Sequence, residues 1–492
     1  MKFFHRSKIL PIIIGIAAFL SFAWFIELSP ENPKISYTAG IALLMAIWWI
    51  TEAIPIPATA LVPVVLFPIM GVVDGKTISS LYFNHLIFLF IGGFMMALAM
   101  EKWNLHRRIA LKILLLFGVS PSKILLGFML ASAILSMWMS NTATTMLMVS
   151  IGISIIQKFK TINPDSKSKF PVILLLGIAY SSSIGGIATL VGTPPNLSFA
   201  RIFAILFPEM PEISFAQWMA FAFPLSMIVL LLAFLILRFF LRLSPKGVSI
   251  NKESLRTEYR QLGHASFEEK TVFYLLISMA ILWIMRLDIP LGFMTIPGWS
   301  NLFPTPGFIN DGTIAIFIAL LLFLIPSKKN EQKLLDWETA NKLPWGIVLL
   351  FGGGFALAQG FVDSGLSLWV GNLLSHVGNL PSYILILGII LIMTTLTELT
   401  SNTATTEMVL PVLAGLAVSI DMPPLLIMIP ATLAASFAFM LPVATPPNAI
   451  VFGTDEIKMK DMVRIGIWMN LISAIITSTF CYFAIEWVFP NT

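Results

Sequence analysis

Residues 140–145 read SNTATT, and residues 401–406 read SNTATT again. The two copies lie 261 positions apart (401 − 140), in surroundings made mostly of Leu, Ile, Phe and Val. An Asn amide is costly to place in an apolar medium unless it is partnered. The same polar hexapeptide placed twice therefore asks for a common cause. Two further pairs keep the same order. IGGFMMALAM (91–100) and GGGFALAQGF (352–361) align at the same offset, Gly92 on Gly353, while GTPPN (192–196) and ATPPN (444–448) align at 252 (445 − 193). Three motifs in one order read as an internal repeat.

Composition sets the medium. Hydrophobic residues make up 57% of the chain, charged residues only 11%, and the mean hydropathy is +0.90. A soluble domain of this length needs roughly 25% charged residues, so the chain reads as an all-α polytopic membrane protein. The net charge of +5 is dispersed over short loops, which is a topology pattern and not a nucleic-acid patch. The single Cys481 excludes a disulfide framework or cysteine metal cluster and reads as packing. The N-terminal run has a basic start but is long for a signal peptide and lacks a small-residue cleavage site, so it reads as a retained first helix. The absence of a transit peptide suggests a bacterial inner membrane.

Apolar runs of spanning length lie near 10–28, 38–54, 57–73, 84–102, 170–191, 215–243, 271–287, 310–326, 344–361, 425–443 and 462–488, about eleven spans. With the N-terminus cytoplasmic and the C-terminus outside, 26 of the 30 Lys and Arg fall in cytoplasmic segments, leaving Lys34, Lys76, Arg201 and Arg286 elsewhere. That bias is what the positive-inside rule requires. It holds only if the segments carrying SNTATT, 122–158 and 381–418, each enter and leave on one side. They therefore read as re-entrant hairpins, the first dipping in from the cytoplasm and the second from outside, which makes the repeat inverted. Inverted repeats with broken elements at the midplane mark secondary transporters.

The polar motifs suit that reading. A hairpin tip brings one helix C-terminus and one helix N-terminus together, with free carbonyls and free amides. Such backbone is tolerated at membrane depth only where it is buried or lines a cavity. Carbonyls with Ser and Thr hydroxyls suit a hard cation such as Na⁺, and helix N-termini with Asn amides suit a carboxylate. Consecutive prolines cannot continue a helix, so each TPPN breaks its span opposite a tip. Apart from Arg201, no Lys or Arg lies in the hairpin centres or beside the breaks. Two matched Asn-Thr pairs suggest a ligand with two similar ends, such as a C4 dicarboxylate. Of the acidic residues, Glu398 reads equally as functional or as a protonated or hydrogen-bonded tie for its hairpin, Glu407 as such a tie, and Glu52 and Glu101 as interfacial. EKWNLHRRIALKILL (101–115) reads as an amphipathic interfacial helix, with a counterpart near 363–378. An intramembrane enzyme lacks support, because no HExxH, no Cys-His pair and no paired Asp occur in the spans. His85 and His376 lack partners at metal-ligand spacing, and two opposed closed hairpins argue for alternating access over a channel.

The paired SNT motifs, TELTSNTATTE (397–407) and the two TPPN breaks resemble the divalent anion/sodium symporter family, which includes the INDY proteins and carriers of dicarboxylates, citrate and sulfate. The resemblance covers nearly the whole chain. It implies a homodimer in which a scaffold holds the dimer contact while a transport domain moves elevator-fashion. The corresponding divisions are 1–121 (scaffold, with the interfacial helix), 122–243 (transport), 244–270 (cytoplasmic linker), 271–380 (scaffold) and 381–492 (transport). It also implies one sodium site at Ser136, Ser140, Asn141 and Gly192, and a second at Thr397, Thr400, Asn402 and Ala444. Where the family often has Ala, this chain has Thr400, which still offers its backbone carbonyl. The dicarboxylate would meet Asn141, Thr142, Asn402 and Thr403, with Thr193, Thr445 and Pro446 lining the same cavity. The main expectation is sodium-coupled uptake of succinate, malate or fumarate. The alternatives are sodium-independent dicarboxylate exchange, or transport of citrate or sulfate.

Overall fold

The computed structural model describes residues 8–118, 120–162, 168–242, 253–290, 294–329 and 332–490. The first part of the expected linker, 244–252, and the basic residues Lys2 and Arg6 lie outside them. Helices account for nearly all regular structure. Ile289–Pro290 and Thr295–Ile296 form a two-residue antiparallel pairing. Among the described residues six helices are long and apolar enough to cross a membrane, including Pro33–Thr51, Phe215–Arg242, Trp345–Ser364 and Met459–Val488. Shorter apolar helices cover most of the other expected runs, among them Ile9–Trp24, Asp311–Leu324 and Pro424–Ala435. Large apolar side chains such as Ile9, Phe239, Phe317 and Trp487 are exposed, as a surface facing lipid requires.

Both SNTATT segments are helical hairpins. The first has arms Pro121–Ser136 and Asn141–Ile162, the second Ser382–Thr397 and Asn402–Ser419. Arm ends correspond at the sequence offset: Pro121 with Ser382, Ser136 with Thr397, Asn141 with Asn402. Ser140 starts the second arm of the first hairpin by accepting the Ala143 N–H on Oγ (3.1 Å) and the Thr144 N–H on its carbonyl (3.0 Å).

Both proline pairs break their spans and restart a helix, since proline at the first helical position lacks only an N–H that would go unused. Phe170–Gly186 resumes as Pro194–Leu206, and Pro424–Ala435 resumes as Pro446–Phe452. The second break is longer than ATPPN alone requires. The apolar run 425–443 loses its helix after Ala435, because the amides of 439–441 are bonded to a side chain instead of to the preceding turn. The run 57–73 is likewise divided, into Ile56–Thr59 and Val62–Ile69.

The two glycine-bearing helices, His85–Lys102 and Trp345–Ser364, pack at close range against the other half of the chain. A Cβ on Gly92 would lie 2.5 Å from the Ala315 carbonyl carbon, and one on Gly353 would lie 2.6 Å from Ala60. Only glycine permits that backbone approach. The amphipathic helix Leu105–Leu116 follows the first of these helices, and Leu366–Leu374 follows the second, starting later than the expected counterpart at 363. Arg108 ties the former to the linker through Glu269 (3.0 Å) and the Gly263 carbonyl (2.9 Å). The linker itself carries a helix, Glu253–Gln261. Lys102 pairs with Asp336 at 2.5 Å and holds that carboxyl below its usual range, at about 2.

Candidate functional site

Each tip is braced by the same bond. The Ser136 hydroxyl donates to Asn141 Oδ1, and the Thr397 hydroxyl shares its one proton between Asn402 Oδ1 at 2.6 Å and the Ala435 carbonyl at 2.7 Å. These are equivalent positions in the two copies. In both, the Asn carbonyl turns back into the tip, and among the described residues no group takes the Nδ2 amide.

The breaks raise a question of where the freed backbone groups go, since buried ones must be paired. In the first break, Asn196 Nδ2 lies 3.3 Å from the Gly186 carbonyl, 3.2 Å from that of Ile187 and 2.8 Å from that of Thr189. Trp218 Nε1 donates to Ile187 (3.0 Å), Ser226 to Ile184 (2.7 Å), and the Thr189 hydroxyl to Met137 in the tip (2.6 Å). The second break is held by Asn448 Nδ2, which donates to Ala438 (2.9 Å) and Leu441 (3.0 Å). Tyr180, from the first broken span, donates to Phe439 at 2.9 Å and so joins the two halves.

Glu398 supplies the remaining acceptors. Its Oε1 accepts from Phe439 N (2.8 Å), Met440 N (2.9 Å) and Asn470 Nδ2 (2.7 Å), and its Oε2 accepts from Leu441 N (2.9 Å). Of the two roles open to it in the sequence, the tie is the one formed. Glu407 ties its hairpin to a neighbouring helix: it is fully buried, accepts from the Ser198 hydroxyl at 2.9 Å, and lies over Gly354.

Tips and breaks meet at one cavity of about 680 Å³. Ser140, Asn141, Thr142, Gly192 and Thr193 line it from the first copy, and Thr400, Asn402, Thr403, Ala444, Thr445 and Pro446 from the second. Ser136 and Thr397 do not line it. They sit fully buried behind the two Asn side chains. A Cβ on Gly192 would lie 3.0 Å from the Ser136 carbonyl, which brings two of the expected sodium ligands together. Thr400 turns its hydroxyl to the Leu396 carbonyl (2.8 Å), leaving its own carbonyl as the group available to a ligand. Opposite the tips, the wall is apolar, with Trp49, Phe94, Ile347 and Leu350.

Three features escaped the sequence reading. Asn196 and Asn448 brace the breaks, and the signal was present, because both TPPN motifs end in the same amide. Tyr180 and Trp218 gave no signal, since an aromatic donor in an apolar run looks like packing. Glu52, expected at an interface, lies in the cavity wall.

Comparison with known proteins supports this picture. The chain is 41% identical over 492 residues to a sodium-dependent dicarboxylate transporter, SdcS, of Staphylococcus saprophyticus, covering 98% of this chain and 92% of that protein. It is 42% identical to the Staphylococcus aureus (strain NCTC 8325) protein of the same name, with the same coverage. Two solved structures share the fold. The Alcanivorax borkumensis YdaH transporter matches at TM-score 0.57 and 13% identity, over 85% of this chain and 90% of that one. Neisseria gonorrhoeae MtrF matches at TM-score 0.56 and 10% identity, over 97% and 94%. The family model for the sodium:sulfate symporter transmembrane region matches residues 7–489, and the chain therefore belongs to that family of integral membrane transporters.

Proposed function

We propose that this protein is a sodium-coupled symporter for C4 dicarboxylates such as succinate, malate and fumarate. One observation carries the reading: two equivalent tips, each with an Asn held from behind by a hydroxyl, face one cavity together with two proline-broken spans. Each tip offers its Asn Nδ2 to one carboxylate, with Thr142 or Thr403 beside it. The helix N-termini at Asn141, Asn402, Pro194 and Pro446 add partial positive charge.

Among the described residues no Lys or Arg lines the cavity, so the charge of a dianion must be offset by its co-transported cations. Sodium fits the oxygens behind each tip. The first site is formed by Ser136, Ser140, Asn141 and Gly192, the second by Thr397, Thr400, Asn402 and Ala444. Each Asn is common to both ligands. With its Oδ1 on the cation, its amide becomes a stronger donor to the carboxylate, and this sharing couples sodium to substrate. The sodium-dependent dicarboxylate relatives point to the same pairing.

The finer architecture follows the same reading. First arms of equal length, Pro121–Ser136 and Ser382–Thr397 at 16 residues each, and the glycine contacts Gly92–Ala315 and Gly353–Ala60 support an inverted repeat. We place eleven spans in the inner membrane, with the N-terminus cytoplasmic and the C-terminus outside. The hairpins and broken spans (122–243 and 381–492) move as a transport unit against a scaffold (1–121 and 271–380) that also forms a homodimer. Glu52 and Pro344, at cytoplasmic ends of their helices by charge threading, line the cavity, so it opens inward. The test is succinate uptake into proteoliposomes under an inward Na⁺ gradient, with K⁺ in its place, and with internal succinate. Uptake that needs Na⁺ supports the proposal. Uptake that needs only internal succinate would establish exchange instead.

A further inference from the structure

The wall facing the tips is apolar except at one position. Among the described residues, Glu52 is the one charged residue lining the cavity. Its carboxylate makes no hydrogen bond or ion pair with any described residue, and the residue is exposed. Its backbone is also unusual. Glu52 caps helix Pro33–Thr51 in the left-handed region, φ 47 and ψ 43. Glycine fills such positions without cost, whereas a residue with a Cβ is disfavoured there. An outlier of this kind justifies a functional hypothesis when a second feature points the same way. Here the second feature is the position: a lone, unneutralised negative charge confronting a cavity built for anions.

We propose that Glu52 is a charge-selectivity element that disfavours substrates carrying a third negative charge. The inference rests on the dicarboxylate reading above. Amides, hydroxyls and two sodium sites attract any carboxylate from the tip side and distinguish poorly between two charges and three. A fixed carboxylate on the opposite wall makes that distinction, because its repulsion grows with each substrate charge. For charges about 10 Å apart in water-like to half-hydrated surroundings, Coulomb's law gives about two- to fourfold in affinity per added charge. The repulsion is greatest where the tips face Glu52 and falls as the transport unit moves away from it.

The test is competition against labelled succinate uptake in proteoliposomes, with wild type, Glu52→Gln and Glu52→Gly. Three competitors are used: succinate, tricarballylate, which is succinate bearing an added carboxymethyl group, and 2-propylsuccinate, which has similar bulk without the third charge. In both variants tricarballylate should gain about two- to fourfold in potency relative to succinate, while 2-propylsuccinate keeps its wild-type ratio. Glu52→Gly, relieved of backbone strain, should in addition be more heat-stable, so it reports selectivity even if Glu52→Gln folds poorly. An unchanged tricarballylate-to-succinate ratio would overturn the proposal. An equal gain by 2-propylsuccinate would overturn it too, by showing that size and not charge is being read. Wild type without succinate uptake would instead overturn the functional reading on which this one stands.

Discussion

Replacing Glu398 with Ala should unlock the second break. The carboxylate serves four donors: the amides of Phe439, Met440 and Leu441, and Asn470 Nδ2. Phe439 N has a second acceptor, Asn470 Oδ1, at 3.3 Å, so three donors lose their partner. A buried donor left unsatisfied costs about 1–3 kcal/mol, giving about 3–9 kcal/mol for the three together. Native proteins have about 5–15 kcal/mol of total stability, so the loss is enough to unfold the break or the whole protein. Glu398→Gln keeps one oxygen and presents an amide in place of the other, stranding Leu441 N alone, at about 1–3 kcal/mol. Thermal unfolding in detergent should therefore rank wild type above Gln and Gln above Ala, with sodium-dependent uptake falling in the same order. Glu398→Ala within about 1 kcal/mol of wild type would refute the reasoning, because among the described residues no other group takes the amides of Met440 and Leu441. Equal loss in Gln and Ala would also refute it, since the carboxylate would then matter as a charge and not as a set of acceptors.

Other perturbations follow from the same geometry. Gly353→Val should destabilise by about 1–3 kcal/mol or more, because its Cβ meets Ala60 at 2.6 Å; Gly388→Ala, with nothing within 4 Å, should be neutral or stabilising in the same thermal assay. Asn196→Asp should impair folding and uptake more than Asn196→Ala, because a carboxylate cannot donate to the carbonyls of Gly186 and Thr189 and would repel them. Equal behaviour of the two would discount the bracing role. Lys102→Met should lower stability at neutral pH by up to about 1 kcal/mol. Asp336 has a pKa depressed from 3.8 to about 2, so its contribution is complete above pH 4 and disappears as pH falls towards 2. Wild type and variant should converge over that window, and a difference that persists at its acid end would assign the effect to lost packing.

The hairpins were legible because their signal is discrete. SNTATT is polar within an apolar chain and occurs twice. The correspondence of Pro121 with Ser382 and of Asn141 with Asn402 follows the sequence offset without adjustment. The cavity was legible for the same reason, since polar tips and proline breaks have little cause to exist in lipid unless they face each other. The long second break was not. Residues 436–443 are mostly apolar, so their composition reads as span, and what unwinds them is a carboxylate some forty positions earlier in the chain. Glu52 was hidden differently. Its place at the end of an apolar run is that of an ordinary interfacial acid, and only the folded arrangement brings the end of Pro33–Thr51 to the cavity. The bracing amides fall between these cases, visible as repeated letters but without an assigned partner.

The central claim is that two tips hold one dicarboxylate, each through an Asn that also binds sodium. Succinate binding to the purified protein, titrated with Na⁺ for wild type, Asn141→Ala and Asn402→Ala, tests it most directly. The account predicts sodium-dependent binding by wild type, its loss in each single variant, and folded protein in all three by thermal unfolding. Sodium-dependent succinate binding of wild-type strength in either variant would contradict it.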